Sequence, residues 1–337
     1  MEKAIETANW LAPRIVSLDR VHVRVLVDNV TDSLSSNPPF VQSEWAGLRE
    51  AGMTVLDGQC VCCACHGLSL VITAEANGQR RSLIFDGGPD GYALHRNGTH
   101  LGIDFGAIDA AVLSHGHWDH AGGLLTALTL IREQNNGRDL PTYVHPDMFR
   151  QRAVRYPDGS ILPHKPIPST EELTRQGASV ISHAAATLLL DEFFYLSGEI
   201  PRVTQYERGY PPHLRRTADG TAWEPDPLIM DERFLAVRVR DKGLIVFTAC
   251  SHAGVVNVLK HARALFPDIP LYAVVGGLHL SGTTEALIPP TVRDLAEFRL
   301  THIIPMHCTG WRAVNALVTA FGEAVVVPAA VGKGVSF

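Results

Sequence analysis

The chain has no apolar run long enough to cross a bilayer. Its longest, such as Leu244–Ala249 and Ala324–Val331, fall well short of the roughly 20 residues a spanning helix needs. It has no excess of positive charge: 29 basic residues stand against 35 acidic ones, a net −6. Nucleic-acid affinity rests mostly on Lys and Arg contacts, so no nucleic acid is expected as a partner, and no membrane either. Cysteine is scarce, and its spacing is not that of a secreted disulfide framework. Four of the six cluster at Cys60, Cys62, Cys63 and Cys65, while Cys250 and Cys308 stand apart. No fixed repeat period is visible, which argues against a solenoid. The opening MEKAIETANWLAPRIV has acidic residues and a proline where a signal peptide needs an unbroken apolar stretch, so a cytoplasmic location is expected.

What remains is a chain long enough to bury a full core without staples. Hydrophobic residues make up 46%, too many for a disordered chain. Val21–Val27 alternates valine with His22 and Arg24 before turning polar, which reads as a strand. Leu68–Ala74 and Ser82–Phe85 flank Asn77-Gly78, a strong hairpin signal. A second hairpin is expected from Phe234–Val239 and Leu244–Thr248. Short strands follow at Ala110–Leu113, Thr142–His145, Phe193–Leu196, Tyr272–Val275, Ile303–Pro305 and finally Ala324–Val327. Helices fit Gly122–Glu133, Val255–Phe266, Val292–Phe298 and Val314–Phe321. Two similar halves, each with a hairpin followed by short strands and helices, suggest two sheets with helices outside. Residues 151–180 look irregular with some helix. Residues 201–230 are rich in Pro and Arg and lack a core-forming pattern; so long a stretch is usually functional or mobile.

The 16 histidines cluster. The densest group is Leu113-Ser114-His115-Gly116-His117-Trp118-Asp119-His120-Ala121-Gly122-Gly123, directly after a short strand. Imidazole and carboxylate are ligands that zinc, iron and manganese accept. Gly116 is expected to permit the sharp turn that aims these side chains inward.

This segment resembles the metallo-β-lactamase superfamily, whose signature is His-x-His-x-Asp-His. The resemblance implies an α/β fold, an αββα sandwich of two mixed sheets with helices outside. The whole of 1–337 would form one such domain, with an inserted lid or channel segment at about 201–230. It implies that His115 and His117 hold one metal, and that Asp119, His120 and His307 hold a second. The superfamily usually has a bridging Asp where this chain has Cys250-Ser251-His252. The geometry of a strand end favours His252 as the ligand, with Cys250 the alternative. The usual third-site His is replaced near Ser197-Gly198-Glu199-Ile200-Pro201-Arg202, so Glu199 is a candidate metal or substrate contact.

These departures, with His66-Gly67-Leu68-Ser69, Cys250-Ser251-His252-Ala253-Gly254, Gly276-Gly277-Leu278-His279-Leu280 and His307-Cys308-Thr309-Gly310, resemble one branch. It is named after 7,8-dihydropterin-6-methyl-4-(β-D-ribofuranosyl)aminobenzene-5'-phosphate synthase. Asp28-Asn29 after the first strand also fits it. The resemblance implies one or two divalent metal ions, zinc foremost, with iron or manganese as alternatives. Asp119 and His279 are the candidate catalytic residues, and His66, Glu199 and Arg202 the candidate substrate contacts. The arginines of 202–216 would select an anionic substrate. His145 is read as structural, and the Cys60–Cys65 run as free thiols. The expected activity is a metal-dependent hydrolase of a small polar or anionic molecule. Two alternatives stay open: a pterin-related transferase forming a C–N bond with loss of diphosphate, and a metal-bound sensor or iron-based redox protein. A homodimer is the partner chain to consider, either of whose subunits could receive the 201–230 segment.

Overall fold

The computed structural model describes residues 13–337, and most of the opening segment on which the cytoplasmic expectation rests lies outside them. Two sheets pack face to face. The first runs Ala178–Ser182, Leu140–Val144, Ala110–Val112, Gln79–Phe85, Ser69–Ala76, Arg20–Val27, Gly334–Ser336 and Val41–Gln42. The second runs Thr187–Leu189, Phe194–Leu196, Leu235–Val239, Gly243–Thr248, Leu271–Gly277 and His302–Met306, with Ser17–Leu18 beside Leu235–Val239. Both are mixed. Each hairpin continues into parallel neighbours.

The period-2 pattern decides which residues meet between the sheets. Val21, Val23 and Val25 face Ile72, Phe85, Val237, Ile245, Phe247 and Val275 in one buried layer. Many of the intervening residues are apolar too, where helices cover the outer faces, although His22 and Arg24 are not. Leu26, Val71, Ile84 and Ala111 pack against Leu94, Leu124, Leu128 and Ile131. Ala236, Val246, Val274 and Ile303 pack against Val255, Leu259, Ala262 and Leu317. The result is the αββα sandwich.

Asn77 and Gly78 have φ values of 53° and 75°, the positive values a tight two-residue hairpin demands. Ala324–Val327 does not form the last strand. Val326 makes only an isolated bridge to Ile303, and the last strand is Gly334–Ser336, inserted between Arg20–Val27 and Val41–Gln42. The helix Gly91–His100, capped by the Asp90 carboxylate, follows a segment whose Gly and Pro content hid its start.

The two irregular-looking regions build one object. Arg152–Arg155, Ile161–Pro163, His213–Arg216 and Trp223–Pro225 form a separate four-stranded antiparallel sheet. Two local hairpins are joined by one long-range pairing, Arg152–Arg155 with His213–Arg216, which no local apolar pattern reveals. The rest of 201–230 is irregular, but it is anchored. Glu207 accepts from the backbone N–H groups of Val256 (3.0 Å) and Asn257 (2.8 Å), closing the N-terminus of the helix Val255–Leu265. Gly254, at φ 90°, has no room for a Cβ beside that carboxyl group.

Gly116 is required for a different reason than a turn. Its φ is not positive; instead, a methyl group there would overlap the backbone carbonyl of Met148. Its N–H donates to Asp231 (2.8 Å), whose other carboxylate oxygen pairs with Arg152 at 2.5 Å, both side chains buried. The Gly116→Ala variant should lose about 2–3 kcal/mol of stability, the cost of overpacking against unyielding backbone. Urea unfolding of the metal-free protein measures this; an unchanged midpoint contradicts the close approach.

Candidate metal centre

The site lies where six strands end: after Arg20–Val27, Gln79–Phe85, Ala110–Val112, Gly243–Thr248, Leu271–Gly277 and His302–Met306. Four non-glycine residues at these ends, Asp86, Ser251, His279 and His307, have positive φ between 47° and 62°. Such backbone is costly and concentrates where side chains must be aimed.

Asp86 is fully buried and accepts three hydrogen bonds. Oδ1 takes the Ser114 N–H (2.7 Å); Oδ2 takes the Ser114 hydroxyl (2.8 Å) and His120 Nδ1 (2.7 Å). His120 therefore carries its proton on Nδ1 and turns Nε2 toward Cys250 Sγ at 3.2 Å. Because the Ser114 hydroxyl donates to Asp86, it accepts from His115 Nδ1 (2.9 Å), leaving a lone pair on His115 Nε2. One carboxylate sets the tautomers of two imidazoles.

The same logic applies on the other wall. Asn29 Oδ1 accepts from Gly67 N–H (3.1 Å) and His307 Nδ1 (2.9 Å), so His307 also presents Nε2. The Asn29 amide donates to His66 Nδ1 (3.0 Å), which puts the His66 proton on Nε2, 3.4 Å from Asp119 Oδ2. His66 thus faces Asp119 as a donor. Asp28, one residue earlier, is buried and accepts the His307 backbone N–H (2.7 Å).

His252 is held by its backbone, since Glu232 accepts from the N–H groups of His252 and Ala253, both at 2.7 Å. Its ring is buried and neither nitrogen has a partner; His307 Nε2 is buried and makes no hydrogen bond either, lying 3.4 Å from Asp119 Oδ2. Unpaired buried polar atoms are expensive, so their convergence calls for a cation. One ligand atom from each of His115, His117 and His252 lies within 4.8 Å of the other two. His66, Asp119 and His307 form another such group, and Cys250 joins three more: with His115 and His120, with His252 and His279, and with His307 and Cys308. The donor set, imidazole with carboxylate and thiolate, suits one or two divalent cations.

The electrostatics keep three of the imidazoles neutral and favour the charged form of a fourth, His120, whose second proton a cation would displace. Burial pushes His115, His117 and His252 well below the usual imidazole range, keeping their lone pairs free. Burial opposes the charge on His120, but Asp119 and Asp86 outweigh it and raise the group to about 9. Burial likewise raises Asp119, and His120, His307 and His66 overcome it, holding the carboxyl well below the carboxylate range. Burial and Cys308, 3.4 Å away, push the Cys250 thiol well up.

The remaining candidates are placed less centrally. The His279 ring lies 4.3 Å from His252 and 5.2 Å from Tyr210, centroid to centroid, with Nδ1 unpartnered. Glu199 is exposed and belongs to none of the ligand groups among the described residues; its nearest basic partner is His145 Nε2 at 3.9 Å. Arg202 is turned to the carbonyls of Ile200 and Leu228. Arg215 pairs with Glu224 (2.8 Å), and Arg216 stacks on Trp223 at 4.0 Å, so both guanidiniums are engaged within the small sheet. The Cys60–Cys65 run contributes to no metal-ligand group among the described residues, and its thiols are free. Sequence reasoning passed over Asp86, Ser114, Asp231 and Glu232. The one signal for Asp86 was its place at the end of the hairpin strand before Gly87-Gly88.

Residues 81–189 match a model described as a beta-lactamase superfamily domain. A 7,8-dihydropterin-6-methyl-4-(beta-D-ribofuranosyl)-aminobenzene-5'-phosphate synthase of Methanocaldococcus jannaschii is 29% identical over 260 residues, covering 77% of this chain and 85% of that relative. Among solved structures, a metal-dependent hydrolase of the beta-lactamase superfamily superposes with a TM-score of 0.67 at 21% identity, covering 94% of this chain and 98% of that one. Unliganded yeast PDE1 superposes with a TM-score of 0.53 at 12% identity, covering 96% and 100%. The chain therefore has the metallo-β-lactamase fold, and its resemblance to the branch named after the dihydropterin synthase holds.

Proposed function

We propose that the chain is a metal-dependent enzyme that uses water to displace a leaving group from a small polar or anionic substrate. The observation that carries this reading is His252: a buried imidazole with both nitrogens unpartnered, facing His115 and His117. His115, His117 and His252 would hold one cation; Asp119, His120 and His307 a second, with Cys250 between them. Zinc suits this donor set, with iron or manganese as the alternatives. Divalent cations in such a site lower the pKa of water toward neutrality and polarise a carbonyl or phosphoryl oxygen.

The chain's own groups do the rest. An Asp119 carboxyl held this acidic is suited to ligating and orienting rather than to storing a proton. His66 Nε2 faces it at 3.4 Å from the open side, where substrate would arrive. His279 stands beside His252 and could stabilise developing negative charge. The 201–230 segment would wall the site, and Glu199 and Arg202 would meet substrate only if it reaches the rim. A small molecule is the partner in this reading; a homodimer is tested by light scattering, and cytoplasmic location by fractionation.

A second reading is favoured by the similarity to the synthase. There an amine replaces water as the nucleophile and diphosphate leaves. Both readings use the same centre and differ in what attacks. Turnover of phosphodiesters, lactones, thioesters and haloaromatics in ¹⁸O-water, beside a pterin-methyl diphosphate with an aryl amine, separates them. Oxygen label in the product supports hydrolysis; amine incorporation supports the transferase.

Metal content tests the centre itself. His117→Ala and His252→Ala should each lose most of one equivalent of metal, and activity with it. Cys250→Ser should keep most of the metal; the reverse ranking, with a thiolate charge-transfer band in the cobalt protein, makes Cys250 the ligand. Asp86→Asn should weaken metal binding by about 10–100-fold, the usual cost of losing a carboxylate behind a ligating imidazole. Chelator competition at fixed pH reads all four.

A further inference from the structure

The small sheet reaches the metal loop through the His213 side chain. His213, fully buried on the strand His213–Arg216, places Nε2 3.0 Å from His117 Nε2. Its own Nδ1 is 2.8 Å from the Asp226 carbonyl oxygen, with the Asp226 carboxylate at 3.4 Å. A carbonyl can only accept, so the His213 proton sits on Nδ1 and its Nε2 carries a lone pair. On the other side of His117, Nδ1 lies 3.0 Å from His115 Nε2, which also carries a lone pair because the His115 proton is committed to Ser114.

Neutral His117 thus has one proton for two contacts, each facing a lone pair. A hydrogen bond to both neighbours is impossible. One of the two contacts needs a cation. His252 decides which, because its unpartnered ring adjoins both His115 and His117, with centroids 4.9 Å and 4.8 Å away. His213, by contrast, belongs to none of the ligand groups among the described residues. A cation among His115 Nε2, His117 Nδ1 and His252 leaves the His117 proton on Nε2, and every contact in the chain is then satisfied.

We propose that His213 is a positioning residue for the metal centre: it accepts the Nε2–H of His117 and so presents His117 Nδ1 to a cation shared with His115 and His252. The inference rests on the metal-centre reading and adds a residue from the insertion to it. It ties the four-stranded sheet to the metal loop, since ligation through Nδ1 fixes the His117 proton on Nε2, where His213 accepts it. A ligand imidazole whose distal N–H is accepted by a fixed neighbour keeps its orientation and is a better base toward metal.

The test uses the full chain with zinc and cobalt(II) as probes, in wild type, His213→Leu and His213→Gln. Leucine removes the acceptor, while glutamine can restore one. His213→Leu should bind zinc about 10–100-fold more weakly by chelator competition, His213→Gln should recover most of that loss, and the metal-free forms should melt alike. Equal affinity in His213→Leu and wild type overturns the proposal. Loss of a whole metal equivalent in both variants overturns it too, making His213 a ligand. Equal loss of metal-free stability in both, with affinity following it, reduces the residue to a structural role. Imidazole ¹⁵N spectra of the zinc-loaded wild type supply a reading that needs no variant. They should show His117 protonated at Nε2 and ligated at Nδ1, and the opposite tautomer contradicts the proposal. A wild type that binds neither metal sinks the metal-centre reading itself, which no His213 outcome does.

Discussion

The buried Asp86 carboxylate is the constraint on which the site depends. A charge in the interior survives only if hydrogen bonds replace its water, and Asp86 receives three, two from Ser114 and one from His120. Those bonds dictate where protons sit on His120 and, through Ser114, on His115. The second ring nitrogens of both imidazoles are then aimed at common space before any ligand arrives. Positioning of this kind is local in space and distant in sequence: Asp86 and His120 are 34 residues apart.

The sandwich supplies the rigidity this needs. Two hairpins and their parallel neighbours end on one edge, and the backbone there takes up strained conformations at Asp86, Ser251, His279 and His307. Strain at four points is tolerable because each is flanked by a strand buried on both faces, with helices outside and the other sheet inside. Carboxylates brought in from elsewhere hold the loops between: Asp231 holds Gly116, Glu232 holds His252, and Glu207 closes the helix that follows. Asp231 and Glu232 are adjacent, directly after the 201–230 segment, and between them hold loops from both halves of the centre.

Much of the fold was legible because its signals are local. Alternating valines at 21–27 and the Asn77-Gly78 turn each specify an element within a few residues, and His115–His120 is dense enough to announce a ligand set. The four-stranded sheet is not legible, since Arg152–Arg155 pairs with His213–Arg216 across an interval that contains strands of both main sheets. The last strand was missed because Ala324–Val327 is apolar but has only one bridging partner, whereas Gly334–Ser336 is short and gains its identity from two neighbours. The sequence suggests a turn at Gly116, whereas its constraint is the backbone of Met148, visible only in three dimensions. The arginines of the insertion looked free to meet substrate, yet acidic and aromatic partners on the neighbouring strand engage Arg215 and Arg216.

The central claim is that the converging imidazoles are a metal centre whose tautomers are set in advance. X-ray absorption at the zinc edge of the reconstituted protein tests it most directly. The expected result is a shell dominated by nitrogen and oxygen at about 2.0–2.1 Å, with the outer-shell scattering of several imidazoles. A shell dominated by sulfur at about 2.3 Å, or zinc without imidazole scattering, contradicts it.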